Sequence, residues 1–343
     1  MNELQEEMKQ VKSRVDDLIL GHLLPSSSPI DGVDLLYKMM RDYPSRQAKG
    51  MRPFLCVASC RAAGGADEDS LLTSACLELF QNWILIHDDI EDGSELRRGE
   101  ASLHRKYTEG LALNAGDALH ARMWGALLGN RRRLGLPKTF RVMAEFSNMV
   151  NETTEGQHME LSWVQGKRWD LKESDYYEMC TKKTSWYTVA SPCRLGATVA
   201  GASADVLEDL KIFGLKLGVA FQIQDDTLNL VGDQRKYGKA KSDDILEGKR
   251  TLILLHLLNN ASQSERDKLQ SIMNKERASK TSSDVSLVLN LMDKYDAIGF
   301  ARKRANELMK EAVAVLRDIS WTGDKKAAQM LESFARFAVE REW

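Results

Sequence analysis

An apolar run that ends in carboxylates constrains this chain more than any other feature. Phe80–Gly99 reads FQNWILIHDDIEDGSELRRG: Asp88, Asp89, Glu91 and Asp92 close the run, and Arg97 and Arg98 follow. If the run is helical, Asp88 and Asp92 are i and i+4, and their carboxylates share one face. Two carboxylates one turn apart suit a hard divalent cation. Mg²⁺ takes one or two carboxylates, keeps several waters and completes its shell with substrate phosphate oxygens. Arg97 and Arg98 add permanently charged forks that match phosphate oxygens. Read alone, the stretch is also compatible with a solvated acidic helix end beside a basic loop.

A second stretch repeats the pattern. Phe221–Asn229, FQIQDDTLN, again runs apolar residues into paired aspartates, Asp225 and Asp226. Asn229 stands where Asp92 stands in the first stretch. Two such helices, far apart in sequence, can face each other across a cleft and hold a diphosphate through a cluster of Mg²⁺ ions. A third stretch, KGMRP at Lys49–Pro53, places Lys49 and Arg52 at i and i+3 where a helix is predicted to start. A helix N-terminus adds donor N–H groups and a favourable dipole for an anion.

Helical periodicity accounts for the rest of the chain. Leu4, Met8, Val11, Val15, Leu18 and Ile19 recur at helical spacing, and the PSSSP of Pro25–Pro29 breaks that helix. Further helices are predicted over Asp31–Tyr43 with Pro44 as a stop, after Pro53 to Gly64, and from about Ser70 through the first aspartates. Leu111–Arg133, Lys138–Gln165, Glu173–Gly201 and Ala204–Val231 follow, with a kink expected at Pro192. Gly232–Lys249 reads as a polar loop, and helices resume from Thr251, including Ala301–Arg317 and Lys325–Arg341. No stretch shows β alternation, no repeat or linker divides the chain, and the expectation is one all-α domain over residues 1–343.

Composition removes several classes of function. Lys and Arg number 48 against 50 Asp and Glu, so nothing supports a nucleic-acid partner. The N-terminus mixes acidic and basic residues without a long apolar core, which argues against a signal peptide. No window reaches the apolar length of a transmembrane helix. The five cysteines form no CxxC pair, and Cys56 and Cys60, at i and i+4, read as buried thiols. The expectation is a cytoplasmic protein in a reducing compartment.

The ordered set of motifs resembles the trans-isoprenyl diphosphate synthases, the head-to-tail prenyltransferases. KGMRP, DDIED followed by RRG, NAGD at Asn114–Asp117, GQHME at Gly156–Glu160, KT at Lys183–Thr184, FQIQDD, and the run from Gly238 to Lys249 stand in that family's order. The resemblance implies a class I isoprenoid synthase bundle around a central active-site cavity. It implies Asp88, Asp92 and Asp225 as ligands to about three Mg²⁺ ions, with Mn²⁺ able to substitute. Asp89 and Asp226 would support them. Arg97, Lys183 and Lys239 would contact the allylic diphosphate (dimethylallyl, geranyl or farnesyl), with Lys249 at the mouth. Lys49, Arg52, Gln81 and Arg98 would hold isopentenyl diphosphate. Thr184 and Gln222 would turn oxygens toward the cation. The departing diphosphate would take the last proton, and a homodimer is the expected assembly. His87, His104 and His158 read as structural. Two departures stand out: Asn229 replaces the last aspartate of the second motif, and Glu160 stands where an aspartate is usual.

Product length depends on the residues below the metals. Trp83 and Ile84 precede Asp88 by five and four positions, roughly one turn deeper at ~1.5 Å per residue. One aromatic there, with no insertion in the aspartate motif, resembles enzymes that make C20 geranylgeranyl diphosphate. Two aromatics would suggest C15 farnesyl diphosphate. Two rival readings are a class I terpene cyclase, which would carry an asparagine–serine–glutamate metal motif, and a non-catalytic subunit of a heteromeric synthase. FQIQDD and the retained basic motifs count against both.

Overall fold

The computed structural model describes residues 3–232 and 242–341. Its helices are α1 (Glu3–Leu18), α2 (Asp31–Ser45), α3 (Met51–Ala62), α4 (Asp67–Glu91), α5 (Leu103–Lys106), α6 (Glu109–Leu127), α7 (Arg131–Gln165), α8 (Glu173–Cys180), α9 (Ser191–Ala200) and α10 (Ala204–Val231). The described chain continues with α11 (Asp243–Glu247), α12 (Leu252–Asn260), α13 (Gln263–Met273), α14 (Ser282–Lys294), α15 (Ala297–Asp318) and α16 (Lys325–Glu340). The all-α expectation holds, with one small exception. Strands β1 (Leu96–Arg97) and β2 (Glu100–Ala101) form a hairpin within the RRG motif, too short for period-2 patterning to reveal.

The chain groups into two compact units. One comprises Met1–Asn148, Thr188–Lys211 and Asp318–Phe334; the other comprises Met149–Tyr187, Ile212–Arg317 and Ala335–Trp343. All five divisions fall inside helical segments, 148/149 in α7, 187/188 in the π-helical stretch Thr181–Ala190, 211/212 in α10, 317/318 in α15 and 334/335 in α16, so no linker composition marks them.

In the first unit α4 is the central element, packed against α3, α6, α9 and α1. It starts with Asp67, Glu68 and Asp69, acids that favour the positive end of the helix dipole, and it buries Leu77, Leu79, Phe80, Trp83 and Ile86. The N-terminal stripe folds as predicted: Leu4, Met8, Val11, Val15 and Ile19 are buried, while Leu18 is only half-buried. Pro44 does not stop α2, which runs on to Ser45. Proline has no N–H, so the bond that this last turn would make to the Met40 carbonyl is forgone. Pro53 sits in the first turn of α3, where its missing N–H has no intrahelical partner to lose. Arg131–Arg133 are exposed, in keeping with a solvated helix end.

The second unit holds an irregularity the sequence pattern does not announce. Thr181–Ala190, the stretch carrying Lys183 and Thr184, is a π-helix whose first seven residues belong to this unit, and Ser191 and Pro192 open α9 just beyond it. The kink expected at Pro192 thus falls where the π-helix gives way to α9. The stretch is held by close approach. Gly156 of α7 and Gly218 of α10 lie so near the backbone at Lys183 and Ser185 that a Cβ on either would collide with it. Downstream, Ser262 with Glu265 and Thr281 with Asp284 form reciprocal capping boxes that start α13 and α14.

Gly156→Ala should therefore lose stability by overpacking, about 1–3 kcal/mol, even though alanine is the better helix former. Urea unfolding checks this, and an unchanged midpoint would contradict the close approach.

Candidate active site

The first aspartate motif ends α4 as a helix should. Asp88 lies in the last turn, Asp92 is the C-cap with helical dihedrals, and its N–H bonds the Asp88 carbonyl at 2.9 Å. The i, i+4 relation of the two carboxylates is therefore kept, and both side chains reach the surface in part. Asp89 points the other way and is fully buried. It accepts from Tyr43 Oη at 2.5 Å and from Arg97 Nε at 2.9 Å and Nη2 at 2.5 Å. Arg97 Nη2 also reaches Asp88 at 3.0 Å. Burial alone would lower the Arg97 pKa, but the Asp89 and Asp88 carboxylates outweigh it and raise the value. Burial and the Asp89 charge together raise that of Tyr43.

The hairpin makes this pairing possible. Arg98 and Gly99 both have positive φ, 53° and 81°, the signature of a tight two-residue turn that normally demands glycine or asparagine. Arg98 in that conformation is strained, and such strain concentrates at functional sites. The turn sends Arg97 inward to Asp89. Arg98 donates to the Tyr43 carbonyl at 2.9 Å and to Asn82 Oδ1 at 3.4 Å. Arg46 ties the hairpin down, donating to the Arg97 carbonyl at 2.7 Å and the Ala101 carbonyl at 2.8 Å.

The residues expected to bind isopentenyl diphosphate lie in the same unit. Arg52, at the start of α3, is buried and donates to Thr188 Oγ1 at 2.9 Å. Lys49 and Gln81 are half-buried. Arg98 and Arg52 both act on the buried Glu78: burial raises its pKa, and the two cations oppose that. Burial and the neighbouring arginines Arg97, Arg52 and Arg46 lower the pKa of Arg98. A group of cations whose mutual repulsion is only partly offset is the electrostatic setting an anion would relieve.

Trp83 is 7% exposed and stacks on His120 of α6, with centroids 3.9 Å apart and planes at 16°. Its edge contacts are Phe80 and His87. Trp124 Nε1 donates to His120 Nε2 at 2.8 Å, fixing that ring. Ile84 is half-buried. His87 faces the Leu113 carbonyl and Asp117, His104 is buried, and His158 is exposed.

In the second unit the second motif sits on α10. Asp226 is buried and accepts from Tyr176 Oη at 2.7 Å and from Gln222 Nε2 at 2.7 Å. Thr184 Oγ1 donates to Gln222 Oε1 at 2.7 Å, which orients the amide. Burial, with the charges of Asp225 and Glu160, pushes Asp226 up to about 7 against these two donors. Asp225 is half-buried and accepts from Arg341 Nη2 at 3.0 Å. Lys183 pairs with Glu160, so the longer acid at that position reaches the lysine. Asn229 is buried, and its Oδ1 accepts from the Asp244 N–H at 3.1 Å, which anchors the start of α11. Lys249 pairs with Glu247 at 2.7 Å and lines a small cavity with Asp226, Asp244 and Thr251. Lys239 lies outside the described residues.

Tyr43, Arg46, Tyr176 and Arg341 were not legible as site residues. Tyr43 falls in the buried stripe of α2 with Met39 and Met40, so periodicity reads it as core and passes over its hydroxyl. The other three stand outside every motif.

The donor set suits Mg²⁺. Among the described residues no cluster of three or more His, Cys, Asp or Glu side chains forms a protein cage for a metal. One or two carboxylates completed by substrate phosphates is the way Mg²⁺ is usually held, and Asp88 with Asp92 supplies that pattern.

A helical fold carrying two aspartate motifs, the first with Asp88 and Asp92 partly exposed beside the buried, hydrogen-bonded Asp89 and the second with Asp225 partly exposed beside the buried, hydrogen-bonded Asp226, defines a synthase of prenyl chains. The chain belongs to the polyprenyl synthetase family, whose pattern matches residues 33–292. It is 32% identical over 293 residues to a geranylgeranyl diphosphate synthase of Saccharolobus solfataricus, covering 85% of this chain and 86% of that one. It is 28% identical over 346 residues to a geranylfarnesyl diphosphate synthase of Natronomonas pharaonis, covering 95% of each. Among solved structures, a geranylgeranyl pyrophosphate synthetase from Pyrococcus horikoshii superposes with a TM-score of 0.86 at 32% identity, over 99% of this chain and 100% of the other. A geranylgeranyl pyrophosphate synthase from Corynebacterium glutamicum, complexed with isoprenyl diphosphate and magnesium, superposes at 0.85 with 25% identity, over 99% and 100%. No helix among the described residues is long and apolar enough to cross a membrane.

Arg97→Ala should cost about 3–5 kcal/mol, because it leaves Asp89 buried without its cation. Tyr43→Phe should cost less, about 1–3 kcal/mol, since one neutral donor is lost. Urea unfolding of both variants checks the order; equal losses would mean Arg97 does not compensate Asp89.

Proposed function

We propose that this protein condenses isopentenyl diphosphate with an allylic diphosphate, head to tail, to make geranylgeranyl diphosphate. The carrying observation is the Asp88–Asp92 pair at the end of α4, one turn apart, with Asp89 turned away and buried against Arg97. In the reaction the allylic carbon–oxygen bond breaks and its electron pair leaves with the diphosphate. The double bond of isopentenyl diphosphate forms the new carbon–carbon bond. Proton loss from the adjacent carbon restores a double bond, with the departed diphosphate as acceptor. Bound divalent cations supply neutralisation of the leaving charge. Asp88, Asp92 and Asp225 hold them, and Mn²⁺ substitutes for Mg²⁺. Lys183, Lys239 and Lys249 bind the allylic diphosphate. Arg97 acts on it through Asp88, to which it is bonded. Lys49, Arg52, Gln81 and Arg98 bind isopentenyl diphosphate, where Arg46, Arg52 and Arg97 act on Arg98 together and favour an anion. Thr184 and Gln222 position Asp226 by the hydrogen bonds described. The enzyme works in the cytoplasm as a homodimer.

Asp88→Ala should reduce turnover about 10²–10³-fold while the protein stays folded. Steady-state assay with Mg²⁺ and each allylic primer checks this, and undiminished wild-type turnover in excess chelator would sink the reading.

Trp83 limits chain length in this proposal, and its stack on His120 gives the floor a rigid backing. Trp83→Ala should open space and lengthen the product past that of the wild type, at a stability cost of about 3–5 kcal/mol. Product sizing by mass at matched conversion tests it. A folded, active variant with unchanged product places the floor elsewhere.

A further inference from the structure

The last described residue, Arg341, follows the end of α16 and donates its N–H to the Phe337 carbonyl at 3.1 Å. Its side chain is only 5% exposed. Nη2 donates to Asp225 Oδ1 at 3.0 Å. The guanidinium carbon lies 4.2 Å from the centroid of the Phe221 ring. The Arg341 carbonyl accepts from Gln224 Nε2 at 2.8 Å. Phe221, Gln224 and Asp225 are i, i+3 and i+4, so one face of α10 grips this one residue. Arg341, Phe221, Gln224 and Asp225 all belong to the same compact unit.

Stability does not account for the arrangement. Nε of Arg341 is buried with no acceptor among the described residues. A buried cation with an incompletely satisfied fork costs free energy, and an apolar residue of similar volume over Phe221 would serve packing better. What arginine adds is control of one carboxylate. Asp225 neighbours the buried Asp226, and a fixed guanidinium offsets their mutual repulsion while holding Asp225 in one rotamer. Stacking on Phe221 fixes the plane of the fork, which the point charge of a lysine could not reproduce.

We propose that Arg341 is a positioning residue of the second aspartate motif: by holding Oδ1 it orients the Asp225 carboxylate to receive a divalent cation that carries a diphosphate. This rests on Asp225 being a metal ligand, as read above. The residue that follows α16 thereby becomes part of the metal site. An opposite role, a guanidinium that the metal must first expel, predicts the opposite change in affinity.

The test is Mn²⁺ binding by the full chain, followed by electron paramagnetic resonance with inorganic diphosphate present. The variants are R341M, R341K and D225A. R341M keeps an unbranched stem over Phe221 and removes the fork; far-UV circular dichroism and melting confirm that it is folded. R341M should weaken Mn²⁺ binding about 10-fold or more, the usual range for loss of a partner that orients a metal ligand. R341K should fall between R341M and wild type, and it carries the test if R341M does not fold. In steady state the Michaelis constant for the allylic diphosphate should rise, with that for isopentenyl diphosphate unchanged. Mn²⁺ affinity at or above wild type in R341M or R341K, with D225A weakened, overturns the proposal. Wild-type affinity in D225A instead removes Asp225 as a ligand, and the proposal falls with it.

Discussion

A carboxylate buried in the first motif must be given a cation, and much of the first unit is arranged to deliver one. Asp89 has no access to water, so its charge is tolerated only with full pairing. The cation is Arg97, and bringing it to Asp89 requires a hairpin that reverses the chain within six residues of the helix end. The hairpin in turn needs the left-handed pair Arg98–Gly99 and the brace of Arg46. One electrostatic requirement thus links α2, α4 and the RRG loop. Its effect on Asp88 is that the same guanidinium bridges both carboxylates and sets their separation.

The second motif meets the same problem with neutral groups. Asp226 accepts from Tyr176 and from Gln222, and no cation is bonded to it among the interactions described. Two neutral donors stabilise a carboxylate less than a bidentate arginine does, so burial prevails and pushes the Asp226 carboxyl well above the usual carboxylate range. Arg341 is placed on the neighbouring Asp225 instead. The pairing is therefore inverted between the motifs. In the first, the arginine is centred on the buried member; in the second, it holds the partly exposed one.

Backbone geometry carries part of the chemistry. The π-helical turn at Thr181–Ala190 rotates Lys183 and Thr184 relative to a regular helix, toward Glu160 and Gln222. Wide turns of this kind recur at functional positions because they re-aim side chains at a cost in hydrogen bonding. Here that cost is met by packing: Gly156 and Gly218 allow α7 and α10 to approach the turn's backbone.

Helical periodicity by itself determined the all-α class, most of the helix ends, and the sharing of one face by Asp88 and Asp92, because those depend on spacing along one segment. The ordered motifs also determined the family. What tertiary structure decided are pairings between residues distant in the chain. Tyr43 with Asp89, Tyr176 with Asp226 and Arg341 with Asp225 span 46, 50 and 116 positions, and no local pattern reports a contact at such a distance. The same limit explains Asn229. Its place in the motif leaves its partner open, and in the fold its buried amide oxygen accepts from the Asp244 N–H. A side chain's partner is settled by which helices pack together, whereas its position on a helix face is settled by the sequence.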